Sequence, residues 1–115
     1  MQTQKQTLGT WGEDVASLYY QRKGFKVIDR NYRTPQGEID IVATKGRFIY
    51  FIEVKTRSTT TFGYPEEVIS AEKRQRMEQC AVYYCKEKRK RRKRLHHVCS
   101  LRWDGEKVRL KIFEY

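Results

Sequence analysis

Asp40, Glu53 and Lys55 are residues of this chain whose types and spacing can do chemistry. Glu53 and Lys55 stand one residue apart at the far end of an apolar run, Phe48-Ile49-Tyr50-Phe51-Ile52, which reads as a strand entering a core. Charges at a core-strand end are costly unless they are paired, bind a metal or face water. At a period of two, Phe51, Glu53 and Lys55 share one strand face, and Ile52 and Val54 share the other. Asp40 lies on the strand before. A hairpin turning around Gly46 brings it level with the end of the next strand. Two carboxylates alone repel. A hard divalent cation, Mg²⁺ or also Mn²⁺, relieves that repulsion, because it takes oxygen ligands and keeps several waters. Such an ion polarises a phosphoryl oxygen and acidifies its water, and a neighbouring lysine orients that water or stabilises the developing charge. The chemistry is phosphodiester hydrolysis, with Asp40 and Glu53 as metal ligands. A plain ion pair of Glu53 with Lys55 or Arg57 is the alternative for the same residues.

The elements that must position these groups follow from pattern. A first helix is expected from about Thr10 to Lys23. Glu13 and Asp14 fall in its first turn, where acids suit the dipole, and Gly24 stops it. Its inner stripe is Val15, Leu18, Tyr19 and Arg22. "FKVIDRNY" reads as a strand and "RTPQG" as a turn. "GEIDIVAT" follows as a strand, with Ile39 and Ile41 on one face and Glu38 and Asp40 on the other. "RFIYFIEVK" is nearly continuously apolar, as a central strand is. The three strands form an antiparallel meander. After the polar loop "RSTTTFGYP", a long helix from Glu66 to the late eighties carries the stripe Ile69, Lys73, Met77, Ala81 and Tyr84, with Cys80 beside it. "HHVCSLRWDGEKVRLKIFEY" closes the chain as a hairpin around Asp104-Gly105. The order is α-β-β-β-α-β-β, a mixed α/β sheet with helices packed on it.

The 115 residues suit one domain. The net charge is +11, which favours anionic partners, nucleic acid before acidic membrane. Lys86 to Arg94, "KEKRKRRKR", holds 8 basic residues and one acid; outside it 17 basic residues face 13 acidic ones. The run is either a phosphate-binding surface or a solvated helix end. The start, "MQTQKQTLGT", lacks the apolar core of a signal peptide, and no stretch approaches the ~20 apolar residues of a spanning helix. The expected location is the cytoplasm. Cys80, Cys85 and Cys99 contain no CxxC pair and read as reduced structural thiols. His96, His97 and Cys99 are close together, but their spacing matches no common zinc pattern.

Asp40, twelve residues, then Glu53-Val54-Lys55 resembles the PD-(D/E)xK nuclease signature. The α-β-β-β-α-β core is similar to the restriction-endonuclease-like fold. A closer likeness is to the YraN family, small bacterial proteins that are largely uncharacterised. Gly12-Glu13 with Ala16 looks like its opening motif, "GFKVIDRNYRTPQGEIDIVA" and "FIEVKTR" like its centre, and "FGYPEEVISAEK" like its next segment. The likeness covers roughly Gly9 to Tyr84, and archaeal Holliday-junction resolvases share a similar arrangement. It implies a single nuclease-like domain over 1–115 with the basic run 86–94 at the end of the second long helix. It also implies Asp40 and Glu53 as metal ligands, Lys55 as the catalytic lysine and Glu13 as an auxiliary catalytic acid, with Glu38 a further candidate. Dipole complementation also accounts for Glu13, and turn stabilisation for Glu38. Ile39 stands where the signature has proline, and "HHVCSLRW" replaces the family's Arg-Phe-Asp type run.

Two functions are consistent with these residues. One is a Mg²⁺-dependent endonuclease acting on DNA, branched or single-stranded. In that reading Arg57, Lys73, Lys88, Arg89, Arg91, Arg92 and Arg94 contact phosphates. The other is a nucleic-acid-binding module that keeps the fold without turnover. A pure binder has no reason to hold carboxylates near phosphate, so the acid-x-Lys constellation separates the two. A membrane-surface role lacks the apolar helix face it needs. A two-fold homodimer would suit symmetric junctions, but one sequence shows no self-complementary patch.

Overall fold

A computed structural model describes residues 4–57, 69–103 and 105–115. The elements are α1 (Gln4–Arg22), β1 (Lys26–Thr34), β2 (Gly37–Lys45), β3 (Phe48–Arg57), α2 (Ala71–Lys88), β4 (Lys93–Trp103) and β5 (Val108–Glu114). The five strands form one sheet in the order β1-β2-β3-β4-β5. Pairings β1–β2, β2–β3 and β4–β5 are antiparallel, and β3–β4 is parallel. The parallel pair follows from α2, because a parallel neighbour needs a long crossover and a helix supplies it. This is the expected α-β-β-β-α-β core with a C-terminal hairpin. Residues 58–68, which hold the rest of the loop "RSTTTFGYP" after Arg57 and the expected helix start at Glu66, and the turn residue Asp104 lie outside the described residues. α2 itself begins later than expected, at Ala71 after the N-cap Ser70, so Ile69 is not part of its stripe.

The helices cover opposite faces. On the α1 side, Ala16 and Tyr20 pack with Ile41, Ala43, Ile52, Cys99 and Leu101. On the α2 side, Cys80, Ala81, Tyr84 and Cys85 pack with Ile39, Val42, Ile49 and Phe51. Ile41, Ile52 and Leu101 are at most 1% exposed, and burying each such side chain contributes ~1.5–3 kcal/mol. Both faces of β3 are therefore covered, as its unbroken apolar run predicts. Cys80, Cys85 and Cys99 are buried free thiols, and burial pushes the Cys99 thiol up to about 12.

α1 departs from expectation. It begins at Gln4, so Glu13 and Asp14 are mid-helix and no acid lies in its first turn. Its buried line is Gly12, Ala16, Ser17 and Tyr20, whereas Leu18 is 47% exposed and Arg22 is exposed. The expected stripe is thus rotated. The fixed point is Gly12: a Cβ there would lie 1.9 Å from Thr56 Oγ1. Only glycine lets the helix backbone come this close to β3. Tyr20 Oη of α1 and His97 Nδ1 of β4 are 2.8 Å apart, and His97 Nε2 and Glu114 Oε1 of β5 are 2.9 Å apart.

β2 also departs. Ile39 belongs to the α2-side core and Ile41 to the α1-side core, so the two do not share a face. The β1–β2 ladder steps from Arg30↔Ile41 to Tyr32↔Ile39 and leaves Asn31 and Asp40 between. Asn31 has φ 51°, a left-handed conformation that asparagine tolerates better than most residues. The side-chain alternation resets there on β2, and Asp40 sits at the reset.

Candidate active site

The β2–β3 ladder runs as far as Ile41↔Ile52. Beyond it, Asp40 Oδ2 accepts the backbone N–H of Val54 at 2.8 Å. A side chain here takes the place of a backbone carbonyl, and this holds the carboxylate at the fork between the two strands. Glu53 lies on the α2 side of β3. Its Oε1 is 3.2 Å from Lys55 Nζ and 3.0 Å from Lys73 Nζ. Lys73 is placed by the start of α2, where Ser70 is the N-cap and its Oγ accepts the Lys73 N–H at 3.1 Å.

Asp40, Glu53 and Lys73 line a cleft of about 280 Å³ together with Glu38, Arg76, Met77, Cys80 and His96. Its floor is apolar, with Ile39, Phe51 and Ile52. His96 Nε2 is 2.6 Å from Glu78 Oε2, and Arg94 Nε donates to Glu78 Oε1 at 2.7 Å. This cluster ties α2 to β4 beside the cleft. Burial opposes the Glu78 charge, yet the hydrogen bonds from His96 and Arg94 hold its carboxyl below the usual range.

The electrostatics are those of crowded acids. Burial pushes the Asp40 carboxyl up to about 6; the Val54 N–H opposes this, the Glu53 and Glu38 charges add to it, and Lys55 lowers it. Glu13 is raised as well, by burial first and then by the charge of Asp40. Its Oε1, like Oε2 of Glu53, is buried with no hydrogen-bond partner among the described residues. Such oxygens fit a hard cation, which needs oxygen donors and relieves carboxylate repulsion. Among the described residues no group of three or more His, Cys, Asp or Glu could hold an ion by itself. Two carboxylates with water making up the rest is the pattern that Mg²⁺ favours.

The structure therefore brings Asp40, Glu53, Lys55 and Lys73 together, with Glu13 and Glu38 within electrostatic reach. Glu38 also faces Arg33 across β1–β2, 3.7 Å away. Apart from Arg94, which reaches Glu78 beside the cleft, the basic run lies away from these groups. Lys88 closes α2, Arg89 is its left-handed C-cap, and Lys93 pairs with Phe48 at the start of β3. Glu53 is five residues further along β3, about 17 Å at the usual strand rise. Arg94 is engaged with Glu78, and Lys88 Nζ sits 5.6 Å from the Tyr32 ring centre. His96 and His97 point to opposite faces, towards Glu78 and Tyr20, so they do not converge with Cys99. Sequence reasoning missed Arg76 and His96 as lining residues. Lys73, Met77 and Cys80 were visible as a helical stripe, but nothing in the pattern said that the stripe borders a cleft.

A five-stranded mixed sheet between two helices, with a carboxylate cleft at the fork of β2 and β3, defines the class of this molecule. The sequence model of UPF0102, an uncharacterised protein family, matches residues 12–104, and the chain belongs to that family. It is 47% identical over 89 residues to a UPF0102 protein of Syntrophotalea carbinolica, covering 77% of this chain and 72% of that one. It is 44% identical over 79 residues to a UPF0102 protein of Syntrophomonas wolfei, 69% of each chain. A relative from Caldicellulosiruptor saccharolyticus is 33% identical over 108 residues, 94% of this chain and 86% of that one. The family is the one resembled in the sequence under the name YraN. No helix among the described residues is long and apolar enough to cross a membrane.

Proposed function

We propose that this protein is a metal-dependent endonuclease that hydrolyses phosphodiester bonds of DNA, with branched or single-stranded DNA as its substrate. The observation that carries the reading is the pairing of Asp40 with Glu53 at one cleft, where Glu53 keeps a buried carboxylate oxygen without a hydrogen-bond partner among the described residues, beside Lys55. Asp40 and Glu53 would hold Mg²⁺ or Mn²⁺. When bound, that ion supplies a polarised phosphoryl oxygen and a more acidic water. The Val54 N–H fixes the orientation of Asp40. Lys55 leaves Glu53 for the attacking water or the charge developing on phosphate, while Lys73 keeps Glu53 in place. Glu13, with its raised carboxyl, accepts or returns a proton near Asp40.

The competing reading, a nucleic-acid-binding module without turnover, draws on one observation: both lysines are engaged with Glu53. A cleavage assay over a panel of DNA and RNA structures, with Mg²⁺, Mn²⁺ and chelator, tests the two. The endonuclease reading expects metal-dependent cuts that chelator abolishes and Asp40→Asn removes. Binding without any cut by freshly folded protein supports the module.

A further inference from the structure

β4 and β5 carry cations that the sequence reading left unassigned, and the register places them level with Lys55 and Arg57 of β3. Arg57 pairs with Arg102, and Arg102 pairs with Arg109. Two residues inward, Lys55 pairs with Ser100, and Ser100 pairs with Lys111. All five cations share the α2-side face. On β3 that face carries Phe51 and Glu53, on β4 it carries His96, and on β5 it lies opposite Leu110 and Ile112, which pack on the α1 side. The row of three arginines crosses three strands, about 10 Å at the usual strand spacing. It begins two residues beyond Lys55, which is itself paired with Glu53. Each of the five has an interaction within the chain.

We infer that Lys55, Arg57, Arg102, Arg109 and Lys111 form the seat of a single nucleic-acid strand leading into the cleft. The choice of anion rests on the proposed nuclease reading. Three features select a phosphodiester strand. Guanidinium groups bind phosphate in a planar, bidentate manner. The cations are arrayed in a line, as successive phosphates are. The two rows start on β3 at Arg57 and Lys55, and Lys55 is paired with Glu53 of the cleft. The basic run 86–94 does not serve the same short segment, because Lys93 is level with Phe48 at the other end of β3.

The test is binding of a fluorescent single-stranded DNA of about eight nucleotides, within the usual span of a single-strand site. Anisotropy is read over a range of salt in EDTA, so that cleavage does not intrude. Arg109→Gln with Lys111→Gln removes two cations at exposed positions. The slope of log affinity against log salt should fall by about 1.4, and affinity at 0.1 M salt by about ten- to thirtyfold. Lys23→Gln with Lys26→Gln removes the same charge at the other end of the sheet and should change the slope by less than a third as much. Three outcomes would overturn the assignment: equal effects of the two pairs, a slope carried instead by Arg91→Gln with Arg92→Gln, or no binding by the unaltered protein at low salt. Loss of the strip effect with Asp40-dependent cleavage intact removes this inference alone. An intact strip effect with no cleavage on any substrate removes the nuclease reading alone.

Discussion

The carboxylate of Asp40 accepts the backbone N–H of Val54 at 2.8 Å, across the point where the β2–β3 ladder ends. One side chain thus does two tasks. It finishes the strand pairing, and it holds a negative charge beside Glu53 where burial makes that charge costly. A residue kept only for the sheet would not need the charge, since asparagine offers the same acceptor.

That difference gives the first expectation. Asp40→Asn keeps the bond from Val54 and loses a metal-binding charge, so cleavage should vanish with fold and DNA affinity nearly intact. Lys55→Met keeps the stem and removes the ammonium; turnover should fall while metal binding persists. Thermal melts and cleavage rates on the same preparations check both. Wild-type-like cleavage by folded Asp40→Asn protein would falsify the assignment of this site.

Stability should also depend on pH through Asp40. Its carboxyl titrates at about 6 in the folded chain, against ~3.9 in an unfolded one. Between those values the folded state holds more protons than the unfolded state, so stability falls as pH rises through the window and levels off above it. The loss is about 2–3 kcal/mol at 1.36 kcal/mol per unit. In chelator, Asp40→Asn and the unaltered protein should melt alike near pH 4, while at pH 7 the variant should melt about 10 °C higher. A variant that melts lower at pH 7 would show that the hydrogen bond, not burial of the charge, governs this residue.

Gly12 sets the distance between α1 and β3, and with it the placement of Glu13. Gly12→Ala puts a methyl 1.9 Å from Thr56 Oγ1, which the fold must relieve by moving the helix. The expected cost is about 1–3 kcal/mol, as for other overpacked contacts. Thr56→Ala in the same chain removes the nearest atom and should recover part of that loss. Urea melts of the two single variants and the double variant give the coupling, and simple additivity would count against the contact.

The basic run should matter only for long partners. Replacing Arg89, Arg91 and Arg92 by Ser should lower the salt slope by up to about 2.7 on a long duplex and leave an eight-nucleotide strand unaffected. Arg94 is better left alone, because its guanidinium holds Glu78 and its loss would confound binding with folding. Anisotropy titrations on the two DNA lengths decide this; equal slope changes on both would place the run beside the cleft after all.

The sequence by itself determined the order of elements, the centrality of β3 and the face shared by Phe51, Glu53 and Lys55. These are short-range properties: an apolar run, a period of two, a glycine at a turn. It also carried the phase of α2, whose stripe of Met77, Cys80, Ala81 and Tyr84 points inward much as periodicity requires. Three features of the site were decided only by tertiary structure. α1 took its rotation from the close approach of Gly12 to Thr56, a contact across 44 positions that outweighs where its acids fall. Asp40 came to its place through a left-handed Asn31 on the neighbouring strand, a local backbone choice that leaves the hydrophobic alternation of β2 looking regular. The partners of each charge, Lys73 for Glu53 and Arg94 with His96 for Glu78, depend on how α2 docks across the sheet. A charged side chain carries no periodic signal of its partner, because Coulomb attraction acts through space and only the packed fold brings the two groups within reach.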